Sequence, residues 1–182
     1  MKHSTSIIII LCSTFLISAC QHTPVKKSHP LPARDVQYLK QLPLSPVLPI
    51  PVFGITRQQL TDTWGAARSV GRRHEGVDIM APRGTPVISA TEGIVASLQG
   101  NNLGGNVVWI LGPSGSWHYY AHLDRHKSGL RVGDYVHIGD TIGYVGNSGN
   151  AKYTASHLHY GIYLTGRGRG ATNPFPYLNG DF

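Results

Sequence analysis

The chain has 182 residues, 41% of them hydrophobic, enough for one domain with a real core and too few for two of comfortable size. Its formal net charge of +7 suits nucleic acid, anionic lipid or an anionic wall polymer, or serves solubility alone. No basic stripe interleaved with aromatic residues of the kind that binds single strands is present, which speaks against nucleic acid.

Residues 1–19 differ in kind from the rest of the chain. Met1-Lys2-His3 is a short basic start, Ile7 to Leu11 and Phe15 to Ile17 are apolar, and Ser18-Ala19 are small residues before Cys20. The apolar run is too short to span a bilayer and ends at a cleavage-like site, so it reads as a secretory signal. It also resembles a bacterial lipoprotein signal, with Ile17 where leucine is commoner. That resemblance implies that Cys20 is the lipidated first residue of the mature protein, and that Gln21 directs it to the outer membrane, facing the periplasm. The other cysteine, Cys12, leaves with the signal. A disulfide between the two is the rival reading, at odds with their position in a signal-like stretch.

Seven of the twelve prolines fall at positions 24, 30, 32, 43, 46, 49 and 51. Residues 20–53 therefore read as a proline-rich tether of extended backbone, although Leu42, Leu44, Val47, Leu48, Ile50 and Val52 are apolar enough for its later part to lie against a domain. The folded domain is expected over 54–182. One or two helical turns are expected within Gln58 to Trp64. Short strands are expected at 86–90, 93–98, 106–111, 117–122, 135–138, 141–145 and 157–164, punctuated by glycine- and asparagine-rich turns. The fold class is mostly β, an antiparallel sheet or sandwich of short strands with long connecting loops.

Three segments carry residues suited to metal chemistry. In Arg73-His74-Glu75-Gly76-Val77-Asp78, His74 and Asp78 are four apart, which places them on one face of either a helix or a strand, and Gly76 between them removes a side chain that could block their approach. In Trp117-His118-Tyr119-Tyr120-Ala121-His122, a regular strand puts His118, Tyr120 and His122 on one face. In Ser156-His157-Leu158-His159-Tyr160-Gly161, His157 and His159 share a face while Leu158 points into a core. That pair suits two metal ligands, or one ligand and one catalytic neighbour, since neutral imidazole is both a zinc donor and a proton carrier near neutral pH.

These segments, with Ala81-Pro82-Arg83-Gly84-Thr85-Pro86, Tyr120-Ala121-His122-Leu123, Val132-Gly133-Asp134, Gly139-Asp140-Thr141-Ile142-Gly143 and Gly146-Asn147-Ser148-Gly149, closely resemble in content and order the lysostaphin/LytM-type zinc metallopeptidases. The resemblance runs from about Ile55 to Leu178. It implies a LytM-like fold, a Zn²⁺ ion held by His74, Asp78 and His159, and catalytic histidines at His122 and His157. It further implies hydrolysis of peptide cross-links in peptidoglycan. The alternative is the noncatalytic role of some relatives, which bind and activate other wall hydrolases such as an amidase partner. All five chemical positions are present, which favours the enzyme.

Other residues near these motifs read as structural. Glu75 faces away from the ligands in an extended chain, His118, His126 and His137 match no family position, and Asn147 and Ser148 make a turn. Tyr120, on the same face as His122, is a candidate to steady the reaction intermediate. The run from Gly133 to Gly146 also resembles a lipoyl/biotinyl-type half-barrel element, but residues 135–139 offer no lysine for cofactor attachment.

Overall fold

The computed structural model describes residues 30–180. Among these residues nine strands form one sheet: β1 (Val77–Met80), β2 (Pro86–Ile88), β3 (Gly93–Ser97), β4 (Asn106–Leu111), β5 (Trp117–His126), β6 (Tyr135–Val136), β7 (Thr141–Val145), β8 (His157–Gly166) and β9 (Arg169–Thr172). The path runs β1-β8-β5-β4-β3-β6, with β9 added to β8 and β7 joining β5 to β2. Every pairing is antiparallel, so the expected mostly β architecture is the one observed, as an unclosed sheet.

Alternation sorts the central strands onto two faces. Val108 and Ile110 of β4, Tyr120 of β5, Leu158, Tyr160 and Ile162 of β8, and Val77 and Ile79 of β1 join the main core. The opposite face carries a smaller cluster of Val107, Trp109, Tyr119, Ala121 and Tyr163, in which Trp109 stacks on Tyr119 with ring centroids 4.3 Å apart. Asp78 pairs with His159, and His159 with Ala121. One row across β1, β8 and β5 thereby sets the ligand candidates on the second face.

His118 lies fully buried in the main core, where its ring joins Ser116 Oγ at 3.0 Å to the Tyr160 hydroxyl at 2.7 Å. Tyr120 is equally buried, its hydroxyl accepting the Ala90 N–H at 3.0 Å. Neither lines the cleft that holds His122, so the expectation that His118, Tyr120 and His122 share a cleft-facing surface is corrected, and Tyr120 takes no part in the site. Burial pushes the His118 pKa from 6.5 down to about 3. Unfolding lets it protonate at its ordinary value, so its contribution to stability is complete above pH 6.5 and is lost as pH falls toward 3. Between pH 7 and pH 4 the loss from this one group should be on the order of 3 kcal/mol. Denaturant titrations at the two pH values, with His118→Gln as the non-titrating reference, should show a shallower pH slope in the variant.

Within the proline-rich stretch, Ala33–Gln41 form a helix, α1, with Leu39 buried and Pro32 at its N-cap. Leu48 and Val52 are also in the main core, and Leu48 donates its N–H to the Tyr177 carbonyl at 2.8 Å. Prolines bracket this helix rather than interrupt it, which is why composition alone suggests extended chain where nine residues are helical. A second short helix, α2 (Pro174–Asn179), buries Leu178, and Asn173 caps it by accepting the Phe175 N–H. Residues 57–59 form a single 3₁₀ turn. The signal-like segment and Cys20 lie outside the described residues.

Candidate metal centre

His74, Asp78 and His159 converge so that one donor atom from each lies within 4.8 Å of the others. His74 Nε2 is 2.8 Å from His159 Nδ1 and 3.0 Å from Asp78 Oδ1, and His159 Nδ1 is 3.2 Å from the same oxygen. These separations are close to the roughly 3.3 Å edge required of donors about 2.0 Å from a tetrahedral ion.

The hydrogen bonding behind the donors supports a cation. His74 Nδ1 lies 2.7 Å from the Thr63 carbonyl, which can only accept, so Nδ1 carries the proton and Nε2 presents a lone pair. That lone pair faces a carboxylate oxygen 3.0 Å away. Two acceptors at that distance repel unless a positive charge, a proton or a bound metal ion, lies between them. Burial pushes the Asp78 carboxyl up, but the adjoining His159 and His74 rings outweigh it and hold it below the usual carboxylate range. Burial pushes His159 below its ordinary value. The set offers two neutral imidazoles and one carboxylate, which suits a divalent metal with a coordination position left over for water or substrate.

Local sequence explains this convergence. Gly76 lies against the His159 ring: an added Cβ would sit 2.6 Å from His159 Cε1 and 2.6 Å from the Tyr160 carbonyl oxygen. The absence of a side chain there lets β8 close on the turn into β1.

His122 and His157 complete the centre, with ring centroids 5.0 Å apart and His122 5.9 Å from His159. His122 Nδ1 is 2.9 Å from the Ser148 carbonyl, and His157 Nδ1 is 2.9 Å from that of Ala155. Each ring therefore has its Nδ1 proton spent on the backbone and its Nε2 available. Burial pushes the His122 pKa down to about 4, against the pull of the Ser148 carbonyl, so the ring is neutral and able to accept a proton at neutral pH.

His122 reaches this face through a break in the alternation. Opposite the span from Asn106 to Val108, β5 runs from Leu123 to Tyr120 and holds one residue too many. His122 absorbs it with φ 61°, a left-handed conformation that non-glycine residues adopt at a cost. Tyr120 and Leu123 both enter the main core, while Ala121 and His122 line the cleft. The bulge is fixed by His122 N–H donating to the Gly104 carbonyl at 2.8 Å. Ser148 Oγ braces it further, donating to Leu123 O at 2.7 Å and accepting the Asn106 N–H at 2.9 Å.

The structure thus brings all five candidate residues together in a cleft of about 560 Å³. It also contains three supporting residues that sequence reasoning missed. Thr63 accepts from His74 and, through Oγ1, accepts the Asp78 N–H at 2.9 Å. Arg68 Nη2 holds Asp78 Oδ2 at 2.5 Å, leaving Oδ1 to the site. Ser148, read as a turn residue, lies at the N-cap of the 3₁₀ turn Gly149–Ala151, and its carbonyl also orients His122. No local pattern marks Thr63 or Arg68, because each acts on a partner ten or more positions away. The glycines beside Ser148 were a usable signal, since a Cβ on Gly149 would collide with the Gly105 nitrogen. Arg68→Gln should weaken metal binding by about ten- to hundredfold, the usual cost of losing a partner behind a ligand, measured by competition with a chromogenic chelator.

Known proteins are similar to this chain over the region that holds the centre. Residues 72–174, which contain all five residues of the centre, match the model of peptidase family M23. The chain is 38% identical over 138 residues to an L-Ala–D-Glu endopeptidase of Bacillus subtilis, covering 71% of this chain and 42% of that protein. It is 36% identical over 95 residues to the peptidoglycan DD-endopeptidase ShyC of Vibrio cholerae, covering 52% of this chain and 21% of that one. It therefore spans less than half the length of either relative. Among solved structures, the catalytic domain of lysostaphin from Staphylococcus simulans superposes with a TM-score of 0.54 at 28% identity, covering 78% of this chain and 96% of that one. A family match over more than half of the chain, with a solved relative of similar fold, makes this protein a member of peptidase family M23.

Proposed function

We propose that this protein is a zinc-dependent endopeptidase that hydrolyses peptide cross-links of peptidoglycan in the periplasm, anchored to the outer membrane by a lipid on Cys20. The observation that carries the reading is the convergence of three metal donors with two imidazoles held through Nδ1 by backbone carbonyls, all lining one cleft.

Zinc at His74, Asp78 and His159 would supply Lewis-acid polarisation of the scissile carbonyl and of the attacking water. The protein's own groups move the protons. An Nε2 lone pair on His122 or His157 takes the proton of the attacking water as its oxygen bonds to the carbonyl carbon. The protonated ring then donates a hydrogen bond to the developing oxyanion or delivers its proton to the leaving amine as the C–N bond breaks. The carbonyls of Ser148 and Ala155 keep each ring in the tautomer and orientation that this requires.

Incubating the metal-loaded protein with purified peptidoglycan should release soluble fragments. A chelator should stop the release and added zinc restore it. The two named relatives differ in the bond cut, L-Ala–D-Glu in one and a DD bond in the other, and the fragment masses identify the bond cut here. Failure to release any fragment, with stimulation of an added amidase, would replace this reading by the regulatory one. For the anchor, Cys20→Ala should move the protein from the membrane to the soluble fraction.

A further inference from the structure

The loop between Gly65 and Arg73 contributes to the lining of the cleft, and the side chains it places there are cationic. The Ala67–Arg73 bridge closes the loop, and the Arg68 N–H donates to the Arg72 carbonyl at 2.9 Å. The Gly65 N–H bonds the His74 carbonyl and the His74 N–H the Ala66 carbonyl, each at 2.9 Å, so the loop is fixed directly to the first metal donor. Arg68, Arg72 and Arg73 all line the cleft.

Their partners differ. Arg68 is engaged with Asp78. Arg72 donates to Ser69 Oγ at 3.2 Å and Arg73 to the Gly65 carbonyl at 3.1 Å, both neutral acceptors. Among the described residues neither pairs with a carboxylate. A guanidinium carries five donors in a planar fork, so each orienting bond leaves most of the fork available. Elsewhere on the lining, Leu103, Gly104, Asn150, Ala151 and Thr154 carry no charge. The acidic groups on the lining are Glu75 and Asp78, and Asp78 is committed to the centre.

Hydrolysis of a neutral peptide bond makes no use of this asymmetry. A concave, positively charged wall concentrates anions, and a planar fork suits a carboxylate better than a carboxamide, whose N–H groups would face the arginine's own. We propose that Arg72 and Arg73 form a carboxylate-binding subsite, which selects stem peptides bearing a free carboxylate beside the scissile bond over their amidated counterparts. The subsite rests on the peptidoglycan reading and adds to it a choice among peptidoglycan chemistries.

The test measures binding and cleavage separately. Calorimetry with the full-length, zinc-loaded His122→Ala protein compares two forms of one cross-linked muropeptide, with carboxylates free or amidated. The free form should bind about tenfold more tightly, in keeping with a charge-assisted hydrogen-bonded pair, and the preference should shrink in high salt. Adding Arg72→Gln and Arg73→Gln should bring the two affinities to within about twofold. Arg72→Lys, which keeps the charge but loses the fork, should give an intermediate ratio and serves if the double variant does not fold. Arg131→Gln, in the turn before β6 and away from the cleft, should leave the ratio unchanged. Equal affinity for the two peptides, binding to neither, or an equal loss of preference in Arg131→Gln would overturn the subsite. Wild-type cleavage is assayed in parallel: equal cutting of both forms overturns the subsite and spares the endopeptidase, while a persistent binding ratio with no cutting does the reverse.

Discussion

His159→Ala should yield a folded protein that retains almost no metal, whereas His122→Ala should keep the metal and lose about a thousandfold in cleavage rate. The difference follows from where each side chain stands. His159 contributes one corner of a three-donor set whose atoms are 2.8 to 3.2 Å apart, and removing it leaves two donors for an ion that needs at least three from the protein. His122 lies outside that set and keeps Nε2 free by spending its Nδ1 proton on Ser148. Its loss removes a proton carrier, an effect on the order of 10² to 10⁴ in rate. Metal analysis of both variants, alongside kcat on a defined muropeptide, checks the split. Loss of metal in His122→Ala would show that the two histidines are misassigned.

Gly76→Ala should disable the centre without touching any ligand. The new methyl would lie 2.6 Å from both His159 Cε1 and the Tyr160 carbonyl oxygen. The carbonyl belongs to β8, which is hydrogen-bonded between β1 and β5, so the backbone has little room to yield and the imidazole must turn. Overpacking of this kind costs about 1–3 kcal/mol of stability, and rotation of the ring takes Nδ1 away from Asp78. Metal affinity should fall by at least about a hundredfold while the far-UV circular dichroism spectrum stays that of the parent. Unchanged metal affinity would mean that the close approach of Gly76 to His159 does not shape the site.

Period-two patterning made most of the sheet legible: β4 and β7 have the expected bounds, and the pair His157/His159 shares a face because β8 alternates without interruption there. β1 escaped notice as a strand because Val77–Met80 is only four residues long and contains the aspartate of the site. β9, Arg-Gly-Ala-Thr, carries no apolar alternation and exists by pairing with β8. His122 shows the limit most clearly. Its identity as a candidate was readable, but its face was not, because the extra residue in β5 is defined only against β4. The bulge is a property of the pairing and leaves no mark on either segment alone. The supporting roles of Thr63 and Arg68 were hidden for a related reason, since both depend on how the chain crosses itself.

The placement of α1 sets the side from which the described chain enters the domain. The Lys40 side chain lies against Gly115, just before β5 begins. His122 lies further along β5, and at about 3.3 Å per residue the two positions are roughly 20 Å apart. The described chain thus enters the domain near the start of β5, away from the cleft that His122 and His157 line. Under the proposed anchor at Cys20, a tether joined at that end would leave the mouth of the cleft clear of the point of attachment.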